Sequence, residues 1–230
     1  MGGNYMVSNI FKRILIIPFT LCFGTISAHE VDGPTTQLLQ GHLDSQILIK
    51  FMPKIMQEVS KEFSQQNDGR THRNTREYGY SFFKMENNDF SYTPPPQFLQ
   101  ELGAEICKAL GQKPVEFTNI ILSCYGTGFH LEPHVDVNAK DLYKNCHFYF
   151  EENVYGIVIE ADPTGHLYFV NWNNGLMPPL DLPPVCELKE KEGTIFCLQN
   201  EWRRSPYFHA VSKVSNRRIS ITFRRVVKIQ

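Results

Sequence analysis

The sequence predicts an α+β, mainly β fold: a double-stranded β-helix, or jelly roll, with supporting N-terminal helices. Two observations carry that prediction. Helical periodicity is confined to the first half of the chain, and from Phe117 onward the chain breaks into short apolar runs separated by Gly, Pro and Asn turns. Helices first and strands afterward fit helices packed on one side of an antiparallel double-sheet barrel.

Taken in order, Lys12 and Arg13 precede an apolar run from Ile14 to Ile26, and Ser27-Ala28 offers small residues for cleavage. Residues 1–28 therefore read as a signal peptide, which implies a secreted, exported or lumenal protein. A cytoplasmic protein with a misassigned N-terminus is the alternative. The run is shorter than the roughly 20 residues of a spanning helix, and Pro18 interrupts it, so no stable membrane insertion is expected after processing. Residues 29–45 read as a linker and 46–230 as one catalytic domain, expected to be a monomer.

Gln46 to Met52 reads as a short strand, and Pro53 opens a helix to about Phe63, with Ile55, Met56, Val59 and Phe63 on one face. Ser64 to Thr75 reads as a polar loop. A second helix follows Pro94-Pro95-Pro96, with Phe98, Leu102, Ile106 and Leu110 on one stripe and Gly111 ending it. Strands are then expected at Ile120–Tyr125, Tyr155–Glu160, His166–Val170, Gly193–Leu198 and Arg218–Val227.

Of the 230 residues, 42% are hydrophobic and 13% aromatic, enough to close one sizeable core. Lys and Arg number 23 against 24 Asp and Glu, a net charge of −1, so no overall basic field draws a polyanion. There are six cysteines, and five remain past the leader at irregular spacing, which describes no disulfide framework. No CxxC pair marks a structural zinc site.

The chemistry begins at His134-Val135-Asp136. On an extended segment residues two apart project to the same side, so both side chains can meet one ion. Two histidines and a carboxylate on one face of an octahedron form the facial triad of non-heme iron(II) oxygenases, with the opposite face open. An HxD alone is common, so a distal histidine is required. His209 supplies it, on a strand expected just before the last one and joined to it in a hairpin. His130, His147 and His166 lack matching partners and read as structural or exposed.

Along the last strand Arg218, Ser220, Thr222 and Arg224 share one face while Ile219, Ile221 and Phe223 share the other. With both faces buried, the cationic face requires an anion inside, since an unpaired buried guanidinium costs several kcal/mol, on the order of a lost charge pair. A dicarboxylate meets that need through a bidentate contact.

Ser123-Cys124-Tyr125, His134-Val135-Asp136, His209 and Arg217-Arg218-Ile219-Ser220-Ile221-Thr222-Phe223-Arg224 together resemble the AlkB-like iron(II) and 2-oxoglutarate-dependent dioxygenases in order and spacing. Arg76-Glu77-Tyr78-Gly79-Tyr80, the helix at 94–111 and Phe117-Thr118-Asn119 extend the likeness to roughly residues 46–228. The resemblance implies Fe(II) held by His134, Asp136 and His209, with 2-oxoglutarate and molecular oxygen as co-substrates. Arg218 would pair with the distal carboxylate of 2-oxoglutarate, and Tyr125 would hydrogen-bond the same molecule. Arg224 would sit beside the proximal carboxylate or brace Asp136. Ser123 stands where many relatives carry Asn and replaces an amide donor with a hydroxyl.

The reaction so implied is C–H hydroxylation, and oxidative dealkylation where the carbon is on nitrogen. Alkylated DNA or RNA is one substrate class: Arg70, Arg73, Arg76, Arg203 and Arg204 supply basic character, and Tyr78, Tyr80, Phe82 and Phe83 could stack a flipped base. Asn138, in place of an acidic residue that reads the base in some relatives, and the neutral net charge speak against it. The alternatives are a protein or small-molecule hydroxylase on the same site, or a catalytically inactive jelly-roll binding module.

Overall fold

The last strand organises the molecule. In the computed structural model, β12 (Arg218–Lys228) lies between β5 (Asn119–Tyr125) and β7 (Phe148–Glu160), antiparallel to both. Residues 34–61, 63–67, 71–81, 84, 90–136, 148–174, 177–179 and 181–228 are described, all within the unit Gly33–Gln230. The leader at 1–28 lies outside them, as do Arg70, Phe82, Phe83, Asn138 and His147. Among the described residues no helix is long and apolar enough to cross a membrane.

Ile219, Ile221 and Phe223 are completely buried on one face of β12. They pack under two helices, α1 (Ser45–Val59) and α2 (Gln97–Ala109), whose Leu48, Phe51 and Ile55 and Leu99, Leu102 and Ile106 form their buried stripes. A second core fills the interior of the barrel with Tyr125, Phe169, Phe196 and Trp202. Gly156 on β7 makes room for it, because a Cβ there would stand 2.1 Å from the Phe196 ring.

The remaining strands are β1 (Leu39–His42), β2 (Ser64–Asn67), β3 (Thr71–Tyr80), β4 (Tyr92–Thr93), β6 (His130–His134), β8 (Leu167–Asn171), β9 (Cys186–Glu187), β10 (Thr194–Leu198) and β11 (Tyr207–Val211). Their pairing runs β1-β10-β7-β12-β5-β3-β6-β11-β8-β9, with β2 and β4 added to β3. This is a mainly β, antiparallel, curled sheet with two helices among the described residues, a jelly roll. The fold class agrees with the sequence.

Several elements differ from the sequence reading. The strand expected at 46–52 is the first half of α1, because the Asp44 carboxylate accepts from the Gln46 and Ile47 amides and starts the helix there. Pro53 lies inside α1 instead of opening it. The polar segment 64–75 is a hairpin: β2 pairs with the start of β3. The segment read as a linker contributes β1 to the sheet edge, flanked by buried Leu38 and Leu43. Gly111 ends α2 as expected, with φ +68° and the Gln112 amide bonding back to the Cys107 carbonyl.

β11 and β12 form no hairpin. β11 lies between β6 and β8, and β12 between β5 and β7, so consecutive strands belong to facing parts of the curled sheet.

Candidate metal centre

Three candidate ligands meet where β6 and β11 run side by side. His209 is opposite His134 in that ladder, and a register shift follows between His209 and Val211. Asp136 is two residues past His134, just beyond the end of β6. The ladder brings the imidazoles side by side, with ring centroids 4.2 Å apart and the rings tilted by 52°. Asp136 Oδ1 lies 3.9 Å from His134 Nε2 and 3.8 Å from His209 Nε2. Three ligand atoms, each about 2.1 Å from one ion, can be up to about 4 Å apart. The donor set therefore fits a divalent transition metal with little movement, and the ligating atoms of all three residues lie within 4.8 Å of one another.

The surroundings bear on which atoms would face an ion. His134 Nδ1 is 2.9 Å from the Glu132 carbonyl oxygen, so Nδ1 carries the proton and donates it, leaving the Nε2 lone pair for the metal. His209 Nδ1 is buried and has no hydrogen-bond partner among the described residues. Burial, then the neighbouring His134, pushes the His209 pKa down to about 3, and burial likewise lowers that of His134. Both rings stay neutral, the form that binds metal. Burial alone would raise Asp136, but the Arg224 guanidinium outweighs it and holds the carboxyl well below its usual range.

Arg224 reaches Asp136 Oδ2 from Nε at 3.2 Å and from Nη2 at 3.1 Å, and its Nη1 donates to Thr222 Oγ1 at 2.8 Å. This contact is the geometry of a brace on Asp136, one of the two roles suggested for Arg224. Arg218 is 1% exposed, and its anion comes from the chain itself. Nε and Nη2 donate to the two oxygens of Glu190 at 2.7 and 2.6 Å, and Nη1 donates to Ser220 Oγ at 2.9 Å. So the residues present fit the metal, while the fork meant for 2-oxoglutarate's distal carboxylate already holds a carboxylate. Glu190 sits on a loop with no local pattern, so nothing in the sequence singled it out.

Tyr125 is buried beside this pair, with the Arg218 guanidinium 5.4 Å from its ring centre. Its hydroxyl, like that of Ser123, lies 3.5 Å from Arg73 Nη1. Arg73 falls in the segment that reads as a polar loop in the sequence, whereas it lies on β3.

Several residues credited to a nucleic-acid surface serve the fold. Arg203 is buried and donates to the Glu151 carbonyl. Arg204 pairs with Glu152. Arg76 lies 3.6 Å from Glu58 and over the Phe63 ring, and the buried Tyr78 hydroxyl donates to Glu58. Tyr80 packs edge-on against Tyr92. His130 stacks on His72, and His166 lies 3.6 Å from Glu187, both away from the triad.

No family model and no curated protein matches the chain. Solved structures do. The structure of OsALKBH1 superposes with a TM-score of 0.56 at 10% identity, covering 84% of this chain and all of that one. The chain has the fold of the 2OG-Fe(II) oxygenases. An oxidoreductase of the 2OG-Fe(II) oxygenase family from Burkholderia pseudomallei matches with a TM-score of 0.51 at 12% identity, covering 81% of this chain and 84% of that one. A Pseudomonas putida prolyl-4-hydroxylase gives 0.50 at 13% identity, with 83% and 94% covered. The AlkB-like and prolyl hydroxylase structures are thus similar to this chain at the level of fold.

Proposed function

We propose that the protein is an iron(II)- and 2-oxoglutarate-dependent dioxygenase that hydroxylates a C–H bond, with His134, Asp136 and His209 as the metal ligands. The observation that carries this reading is the meeting of those three side chains within one oxygenase fold. Iron(II) with 2-oxoglutarate and molecular oxygen would supply the oxidising chemistry. The chain's own part is binding and orientation. Glu132 fixes the His134 tautomer, Arg224 holds the Asp136 carboxylate in place, and Phe169, 6.4 Å from the His209 ring, helps keep water from the metal's protein side.

Where the hydroxylated carbon is bonded to nitrogen, the resulting hemiaminal releases an aldehyde, so a dealkylase needs no further machinery. On substrate, the observations favour a protein or small molecule over an alkylated nucleic-acid base. Arg76, Arg203 and Tyr78, on which the nucleic-acid reading leaned, are engaged in the fold, and net charge near zero supplies no long-range pull on phosphates.

The purified protein with iron(II), 2-oxoglutarate and oxygen is expected to form succinate, and Asp136→Ala to form none. A panel of N-methylated peptides, small amines and alkylated oligonucleotides then reads the substrate from the rise in succinate. Succinate formation that persists in Asp136→Ala would remove the metal assignment, and a rise with the oligonucleotides alone would restore the base dealkylase. We also propose export with removal of residues 1–28, which N-terminal sequencing from the native host checks: a mature chain starting near His29 supports it and an intact Met1 rejects it.

A further inference from the structure

The buried Arg218 needs an anion, and the chain supplies one of its own. Nε and Nη2 meet the two Glu190 oxygens at 2.7 and 2.6 Å, and the two side chains are 2% and 1% exposed. This is the two-donor, two-oxygen contact that an arginine makes with any carboxylate, whether carried by a side chain or by a small molecule. Glu190 therefore stands where the far end of a dicarboxylate would bind.

The way Glu190 reaches that position makes it replaceable. It comes from the loop between β9 and β10, where Lys189, Lys191 and Glu192 are exposed, and its side chain passes inward from there. The backbone amides that fasten this loop lie on either side of it. Leu188 donates to the Leu167 carbonyl at 2.8 Å, and Lys191 donates to Thr194 Oγ1 at 2.9 Å. Glu190 itself is held through its carboxylate, by Arg218 and by the Leu167 amide, which donates to Oε1 at 3.0 Å. Withdrawn, that carboxylate enters water between two lysines. Exchanging it for the carboxylate of a ligand leaves no charge buried without a partner, the outcome that makes breaking a buried pair costly.

We propose that Glu190 is a built-in competitor for the co-substrate: its carboxylate closes the Arg218 fork, and 2-oxoglutarate binds by displacing it. This rests on the function proposed above. The device acts on a 2-oxo diacid and spares a 2-oxo monoacid, which has no second carboxylate to set against Arg218. A closed form that leaves about 1–10% of the molecules open weakens apparent binding about 10- to 100-fold.

Calorimetric titration of the iron(II)-loaded, full-length protein under argon tests it, with 2-oxoglutarate and 2-oxobutanoate as ligands. The second keeps the oxo-acid head and lacks the distal carboxylate. Glu190→Gln is expected to tighten 2-oxoglutarate about 10- to 100-fold and to leave 2-oxobutanoate unchanged. Unchanged or weaker 2-oxoglutarate binding in Glu190→Gln would make the pair purely structural and overturns the inference. A second measurement needs no variant: amide hydrogen exchange of the iron-loaded wild type with each acid at saturation. 2-Oxoglutarate should speed exchange at the Leu167 amide, which loses its acceptor, and 2-oxobutanoate should not. Protection of Leu167 that 2-oxoglutarate leaves unchanged overturns the inference even where Glu190→Gln fails to fold. Failure of the iron-loaded wild type to bind either acid overturns the proposed function with it.

Discussion

His134 and Asp136 owe their chemistry to the residues behind them. The Glu132 carbonyl commits His134 Nε2 to the open side, and Arg224 anchors the carboxylate of Asp136 from the opposite direction. Arg224→Ala should therefore weaken iron(II) binding about 10- to 100-fold, the usual effect of removing a group that orients a metal ligand, and competition with a metal-sensitive dye would read it. Affinity equal to wild type would mean that Asp136 needs no brace. These residues were legible in the sequence because each has a local signature: two candidate ligands spaced by two, and a strand with arginines on an otherwise apolar pattern. Glu190 has none. Its role depends on a loop folding back onto the start of β12, a contact between residues 28 apart, and the anion that the buried arginine required was assigned to a ligand instead.

Among the elements, the central strands were the readable ones, since burial on both faces writes a period of two into β12 and a continuous apolar run into β5. The hairpin of β2 and β3 escaped because its polar, Asn- and Gln-rich residues carry a turn composition while the pairing comes from β5 and β6. The first half of α1 escaped because Ile47, Leu48, Ile49, Phe51 and Met52 suit a strand as well as a helix, and only the Asp44 cap decides between them. Asp44→Ala should cost about 1 kcal/mol, visible as a lower urea midpoint, and no change would assign the helix start to packing alone. Gly156 is held to its identity by the Phe196 ring. Gly156→Ala should lower stability by about 1–3 kcal/mol through overpacking. A neutral result would show that Phe196 has room to turn aside.

At the scale of the whole molecule, Asp162 joins the turn after β7 to the turn between β11 and β12. Its carboxylate accepts from the amides of Thr164, Gly165, Ser215 and Asn216. Burial opposes the charge, but those four amides hold the Asp162 pKa well below the usual carboxylate range. A depressed folded-state pKa contributes stability above the unfolded value of about 3.9, and that stability is lost as pH falls toward the folded one. Asp162→Asn should thus be less stable by about 1–3 kcal/mol at pH 7, and its stability should depend less steeply on pH in the acid range. Parallel acid-unfolding curves for the two proteins would contradict the linkage.

The account as a whole depends on one ion binding where β6 and β11 face each other, and equilibrium dialysis of the purified protein against iron(II) under argon measures that most directly. One iron per chain for the wild type, and none for the His134→Ala, Asp136→Ala and His209→Ala variants, is the predicted result. A wild type that binds no iron, or a His209→Ala protein that still binds one equivalent with undiminished affinity, would contradict it.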